Sequence, residues 1–143
     1  MLNKITIFFL VIFNLIIFKV NSNEQISFDV TEIEILENGN KIIGKNRGTI
    51  ITNDGIVIEA DKFEFDKIKN FLKAGGNIII KDEVNKYNFF AEDILYFVNE
   101  ERIELKGYAE AFVDNSYKFK SENIRILKKE MLISSDDGAT ILD

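Results

Sequence analysis

Along most of the chain apolar residues return at every second position, and the parity of that alternation slips by one at regular intervals. Ile56, Ile58 and Ala60 share one parity, but Phe63 and Phe65 fall on the other. The same slip separates Tyr87, Phe89 and Ala91 from Ile94 and Tyr96, and Tyr117, Phe119 and Ser121 from Ile124 and Ile126. An earlier copy runs Phe28, Val30, then Ile33 and Ile35. Period-two alternation predicts a strand with one buried face. A one-residue slip would turn the apolar set outward unless a bulge or corner corrects it. Each copy therefore reads as a strand that bends at its small residue and keeps its apolar side inward. The alternative is two short strands joined by a loop.

The copies form a repeat. Their small positions, Val30, Ala60, Ala91 and Ser121, are 30, 31 and 30 residues apart, and the glycines that follow, Gly48, Gly76, Gly107 and Gly138, are 28, 31 and 31 apart. Self-similarity at such a period marks a stacked architecture. A glycine inside a strand marks a bulge, kink or close backbone approach, and one per repeat points to curvature rather than chemistry. Short polar turns at residues 37–40, 66–70, 99–101 and 128–130 follow the bent strands. Return strands carry Leu72, Ala74, Ile78 and Ile80, then Ile103, Leu105, Ala109, Ala111 and Val113, and Asn53-Asp54-Gly55 and Asp114-Asn115-Ser116 reverse the chain again. No long helical stretch follows residue 22. The expected fold is all-β: a twisted antiparallel sheet of about eight strands, curled on itself and open at both ends.

The first 22 residues stand apart. Lys4 opens a run, residues 5–18, that is apolar except for Thr6 and Asn14, and Lys19-Val20-Asn21-Ser22 closes it with small residues. Fourteen residues fall short of the ~20 needed to cross a bilayer, and the charge, apolar, small order is that of a secretory signal cleaved after Ser22. A retained membrane anchor is the alternative. The domain organisation is then a leader at 1–22 and one β domain at 23–143.

Without the leader, which holds two lysines and no acid, the chain carries 16 basic and 24 acidic residues and a net charge of −8. That balance argues against nucleic acid, which needs a concentrated positive face. The adjacent basic pair Lys128-Lys129 reads as a solvated turn. With no histidine and no cysteine, His-based triads, thiol nucleophiles, disulfides and ordinary zinc sites are excluded. Adjacent strand residues point to opposite faces, so the paired acids Glu92-Asp93, Glu100-Glu101 and Asp136-Asp137 make poor acid/base couples and read as surface coating. Asp136-Asp137-Gly138 lacks the spaced oxygen ligands of a calcium loop. No catalytic, metal or cofactor site is expected, which leaves binding or conduction.

The run Ile58-Glu-Ala60-Asp61-Lys-Phe63-Glu-Phe65, followed by Leu72-Lys-Ala74-Gly75-Gly76-Asn77-Ile78, resembles the repeat of the OstA-like family. That family comprises the periplasmic lipopolysaccharide-transport bridge protein and the N-terminal domain of the outer-membrane lipopolysaccharide assembly protein. The similarity runs from Phe28 to Asp143 and returns in four copies. It implies an open-ended β-jellyroll in the periplasm whose interior carries the acyl chains of lipopolysaccharide. It also implies head-to-tail joining to other β-jellyroll transport proteins by strand addition and, for the assembly-protein type, outer-membrane association. Groove candidates are Ile33, Ile35, Phe63, Phe65, Ile78, Ile80, Ile94, Tyr96, Ile124 and Ile126. As ordinary core residues they would look the same.

Two departures from the family stand out. The assembly protein continues into a large barrel and uses cysteines, whereas this sequence stops at Asp143 and has none. The closing Ala139-Thr-Ile-Leu-Asp143 reads as the start of another strand, which favours a piece of a longer protein over a free-standing bridge. Two competing readings remain. One is an inner-membrane-anchored adaptor of the same pathway, and the other a structural β-repeat module that binds no lipid.

Overall fold

The computed structural model describes residues 26–114, 116–138 and 140–142. The expected leader at 1–22 lies outside them. Among the described residues ten strands make one antiparallel sheet: β1 (Ile26–Asp29), β2 (Glu32–Leu36), β3 (Lys41–Thr52), β4 (Val57–Asp66), β5 (Phe71–Asp82), β6 (Tyr87–Phe97), β7 (Arg102–Val113), β8 (Tyr117–Leu127), β9 (Leu132–Ser134) and β10 (Thr140–Leu142). β1 and β2 both pair with β3, one on each half of it, and β9 and β10 divide β8 in the same way. Each edge is thus one long strand broken once, and the sheet is eight strands wide, as the repeat predicts. Residues 67–70 and 83–86 are plain turns.

Every full-length strand changes register near its middle. Asn46 and Arg47 face Asp61 alone, Gly76 and Asn77 face Glu92, and Gly107 and Tyr108 face Glu122. The extra residues lie on the return strands β3, β5 and β7, opposite the slip on the outgoing ones. Asn46, Asn77 and Tyr108 take left-handed backbone angles, with φ of 66°, 48° and 50°. Such bulges bend a strand and increase its twist. Arg47 straddles this bend, donating to Asp61 at 3.1 Å, to the Asn77 carbonyl at 3.1 Å and to Glu59 at 3.2 Å.

Gly48 departs from the expected glycine series. Its φ is not positive, and Asn46 occupies the left-handed position instead. Gly48 is there for space: a Cβ on it would run into the Val30 side chain and approach the Asp29 carbonyl oxygen to 2.9 Å. Gly76, with φ of 80°, is the bulge glycine, and a Cβ there would meet Asp61.

The line of bulges divides the sheet into two walls. The first comprises residues 32–45, 62–75, 93–106 and 123–134, and the second 26–29, 48–59, 78–90, 109–114, 116–121 and 140–142. Inner side chains of both walls form a single buried cluster that includes Ile50, Ile58, Phe63, Leu72, Ile78, Ile80, Ile94, Ile103, Leu105 and Ile124. Each such aliphatic or aromatic side chain contributes roughly 1.5–3 kcal/mol by leaving water. The parity slip is what makes this possible: Ile56, Ile58 and Ala60 before the bend and Phe63 and Phe65 after it are all buried.

Candidate functional site

The interior between the walls is the candidate site. Phe63, Phe65, Ile78, Ile80, Ile94, Tyr96, Ile124 and Ile126 are all brought into the buried cluster. Ile33 and Ile35 are placed differently. In register they oppose Gly44 and Ile42, which in turn oppose Phe63 and Phe65, so they share the inner face. Yet they are 46% and 64% exposed.

The reason is an offset between the walls. Phe28 on β1 packs against Phe65 on β4, with ring centroids 5.8 Å apart. The β3–β4 hairpin, residues 52–54, shares a surface concavity with Tyr96, Val98, Glu101 and Lys128. Ile80 and Phe89 meet Ile103, Ile126 and Ile133 across a narrow cleft. In each case the partner on the first wall belongs to a later strand. The start of the first wall, β2, therefore has nothing across from it, and its inner isoleucines form an apolar ledge. At the other end the second wall carries Tyr117 past the cover, 57% exposed although its register partners Val113 and Tyr87 place it on the inner face.

The cleft between the wall ends is narrow, with a free volume of about 30 Å³, the room of a single water. Its lip holds a polar cluster. Lys128 forms an ion pair with Asp54, donates to the Tyr96 hydroxyl at 3.2 Å and lies 5.4 Å from the centroid of that ring. Asp54 also accepts from the Thr52 hydroxyl. Burial pushes Asp54 up, but the hydrogen bonds from Lys128 and Thr52 outweigh it and hold its carboxyl below the ordinary range. Burial likewise lowers Lys128, and its contacts with Asp54 and Tyr96 more than reverse that, so its ammonium sits above the usual lysine value. Burial pushes the Tyr96 phenol up, against the pull of Lys128. Asp82 lines the second wall's lip, but its carboxylate is turned to its own hairpin, accepting from Asn85 N at 3.0 Å and Asn85 Nδ2 at 2.7 Å.

Lys128 corrects the reading of Lys128-Lys129 as a solvated pair: its side chain is 14% exposed, whereas Lys129 is in solvent. The signal was in the alternation. Ile124, Ile126 and Lys128 share one parity, as do Ile50, Thr52 and Asp54, so these two inner rows end on a polar residue at the lip. Among the described residues no three acidic side chains converge to hold a metal ion. Asp136 pairs with Arg125 and Asp137 accepts from Asn123, which ties residues 135–138 to β8.

No protein-family model matches the chain, and no curated protein matches it in sequence. Its fold, however, superimposes on a solved structure: LptH from Pseudomonas aeruginosa, the LptA-homologous periplasmic component of that organism's lipopolysaccharide transport device. The TM-score is 0.72 at 14% sequence identity, over 84% of this chain and 96% of LptH. The fold is the LptA-like β-jellyroll. At that identity the likeness is one of fold.

Proposed function

We propose that this chain carries lipopolysaccharide across the periplasm, sheltering the lipid's acyl chains between its two walls. The carrying observation is an unbroken apolar strip that starts on the exposed ledge of Ile33 and Ile35, runs through the buried cluster and ends past Phe119 at Tyr117. Each methylene exposed to water costs about 0.8 kcal/mol, so a twelve-carbon chain is penalised by roughly 10 kcal/mol. A protein with an apolar inner face and a charged exterior removes that penalty without covalent chemistry, which makes it a binding protein rather than an enzyme.

The two ledges complement each other. A second copy whose β1–β2 edge continued the sheet beyond the β9–β10 edge of the first would bring its Ile33 and Ile35 under the overhanging end of the first copy's second wall. Strand addition of this kind supplies backbone hydrogen bonds along the edge and apolar burial beneath it. Head-to-tail joining to copies of itself or to other β-jellyroll transport proteins is thus part of the reading. Export through the leader at 1–22 would deliver the domain to the periplasm. Attachment to the outer membrane would follow if its partner there is the assembly protein.

A second reading draws on the dense packing of the cluster: a structural β-repeat module whose interior stays filled. A photo-crosslinking residue, p-benzoylphenylalanine, in place of Phe65 separates the two, with the outward neighbour Glu64 as control, in a host that makes lipopolysaccharide. Lipopolysaccharide attached at 65 and not at 64 supports the carrier. A folded, exported protein that attaches none at either position leaves the structural module.

A further inference from the structure

Among the described residues every ion pair but one joins groups within one strand or turn or on strands and turns adjacent along the sheet. The exception is Lys128–Asp54, which links the turn after β8 to the β3–β4 hairpin, 74 positions away, across the open side of the two walls. Backbone hydrogen bonds outside the strand ladders likewise stay within a turn or between neighbouring hairpin ends. Away from the bend, the walls are therefore held together by apolar contacts and this one charged bridge.

We infer that the Asp54–Lys128 bridge is a releasable clasp on the interior, and that Lys128 receives the anionic head of an amphiphile whose acyl chain enters between the walls. The inference rests on the carrier reading and gives it a head-group site. A cleft of about 30 Å³ cannot hold an acyl chain, so entry requires the walls to part where only side chains close them. Ile103, Ile126 and Ile133 lie on one side of that cleft and Ile56, Ile80 and Phe89 on the other, which is a lining for a hydrocarbon. Parting them takes Lys128 from Asp54 and leaves a largely buried ammonium without its counter-charge, a costly state. A phosphate or carboxylate head at the lip restores the charge pair. Tyr96, on the same wall as Lys128, keeps its hydroxyl against the ammonium throughout. A neutral head leaves the ammonium unpaired, so the site selects for negative charge.

The test is calorimetric titration of the purified chain with dodecyl phosphate and with dodecyl maltoside, each below its micelle concentration. The wild type should prefer dodecyl phosphate by about tenfold, the size of one charge-assisted contact. Lys128→Gln should bind both amphiphiles alike, whereas Lys128→Arg and the neighbouring Lys129→Gln should keep the preference. Asp54→Asn, which releases the clasp and leaves Lys128 unpaired, should tighten dodecyl phosphate several-fold. A preference that survives Lys128→Gln, or that Lys129→Gln removes equally, overturns the inference. If Lys128→Gln fails to fold by circular dichroism, Asp54→Asn decides alone, and unchanged or weaker binding of dodecyl phosphate rejects the clasp. Equal binding of both amphiphiles by the wild type removes the head-group site and leaves the carrier reading standing. No binding of either by any folded form removes both.

Discussion

Phe28 and Phe65 stack tilted rings 5.8 Å apart although their strands, β1 and β4, are not neighbours in the sheet. The contact closes the two walls on each other at the amino-terminal side of the core, where the sheet has the fewest strands to share the burial. Phe65→Ala removes one side of that contact and opens a cavity beneath β1. A loss of about 3–5 kcal/mol is expected, the range for truncating a buried phenylalanine, read from urea unfolding. A loss under about 1 kcal/mol would mean that Phe65 faces a space already open to solvent or ligand.

The Asp54–Lys128 pair has a defined pH signature. Asp54 is held below its ordinary value of 3.8, so its contribution is complete above that value and is lost as the pH falls through the lower folded value. Lys128 is held above 10.5, so its contribution is complete below that value and is lost as the pH rises through the higher folded value. The stability gap between wild type and Asp54→Asn should therefore be flat from about pH 5 to pH 10 and close at both extremes. With Asp54 half exposed, solvent screening keeps the gap on the order of 1 kcal/mol. Urea midpoints of the two proteins across pH measure it, and a gap that widens in acid would contradict the pairing.

Tyr108 occupies the left-handed bulge position that Asn46 and Asn77 fill in earlier repeats, and its side chain is 81% exposed. A left-handed backbone costs an ordinary residue about 1–2 kcal/mol, and asparagine tolerates it better. Tyr108→Asn should raise stability by about 0.5–1 kcal/mol in thermal unfolding. If it lowers stability, the ring is making a contact in solution that offsets the strain.

Much of the fold was legible because its causes are local. A period of two, a parity slip and a repeat near thirty residues all reside in neighbouring side chains, and they yield bent strands with one apolar face. The rest depends on which strand lies across from which. Nothing in Ile33-Glu-Ile35 says that β2 starts the first wall beyond the reach of the second, so its isoleucines look the same as Phe63 and Phe65, which are buried. Gly48 resembles the bulge glycines in spacing, but its cause is the Val30 side chain pressed against it. Lys128 was masked differently. Its parity pointed inward, but a lysine beside a second lysine reads as solvent-facing until Asp54 and Tyr96 arrive from distant strands.

Gly48 also gives a local test of the first edge. Gly48→Ala places a methyl against Val30 and the Asp29 carbonyl, which lie at the break between β1 and β2. The strand pairing Phe28 with Ile50 and Asp29 with Thr49 should loosen before the rest of the sheet does. Hydrogen exchange should accelerate at the β1 and β3 amides of that ladder while β5 to β7 stay protected. Uniform acceleration would instead mean that the edge and the core open together.

In the proposed head-to-tail joint, the ledge of Ile33 and Ile35 is the surface that a second copy covers. Both side chains lie on the inner face by register, and both are left in water by the offset of the walls. Ile35→Lys adds charge where a second copy would have to cover it, yet it removes little from the fold of a single copy because the site is already exposed. Burying an unpaired ammonium in such a joint is strongly unfavourable. Sedimentation velocity over a concentration series should show self-association in the wild type and a shift of at least tenfold toward monomer in Ile35→Lys, with unchanged circular dichroism. The outward neighbour Glu34, which pairs with Lys45 at 3.0 Å on the other face, provides the contrast: Glu34→Gln should leave association intact. If both substitutions weaken it equally, copies meet through the charged outer surface, and the strip of apolar side chains does not continue from one molecule into the next.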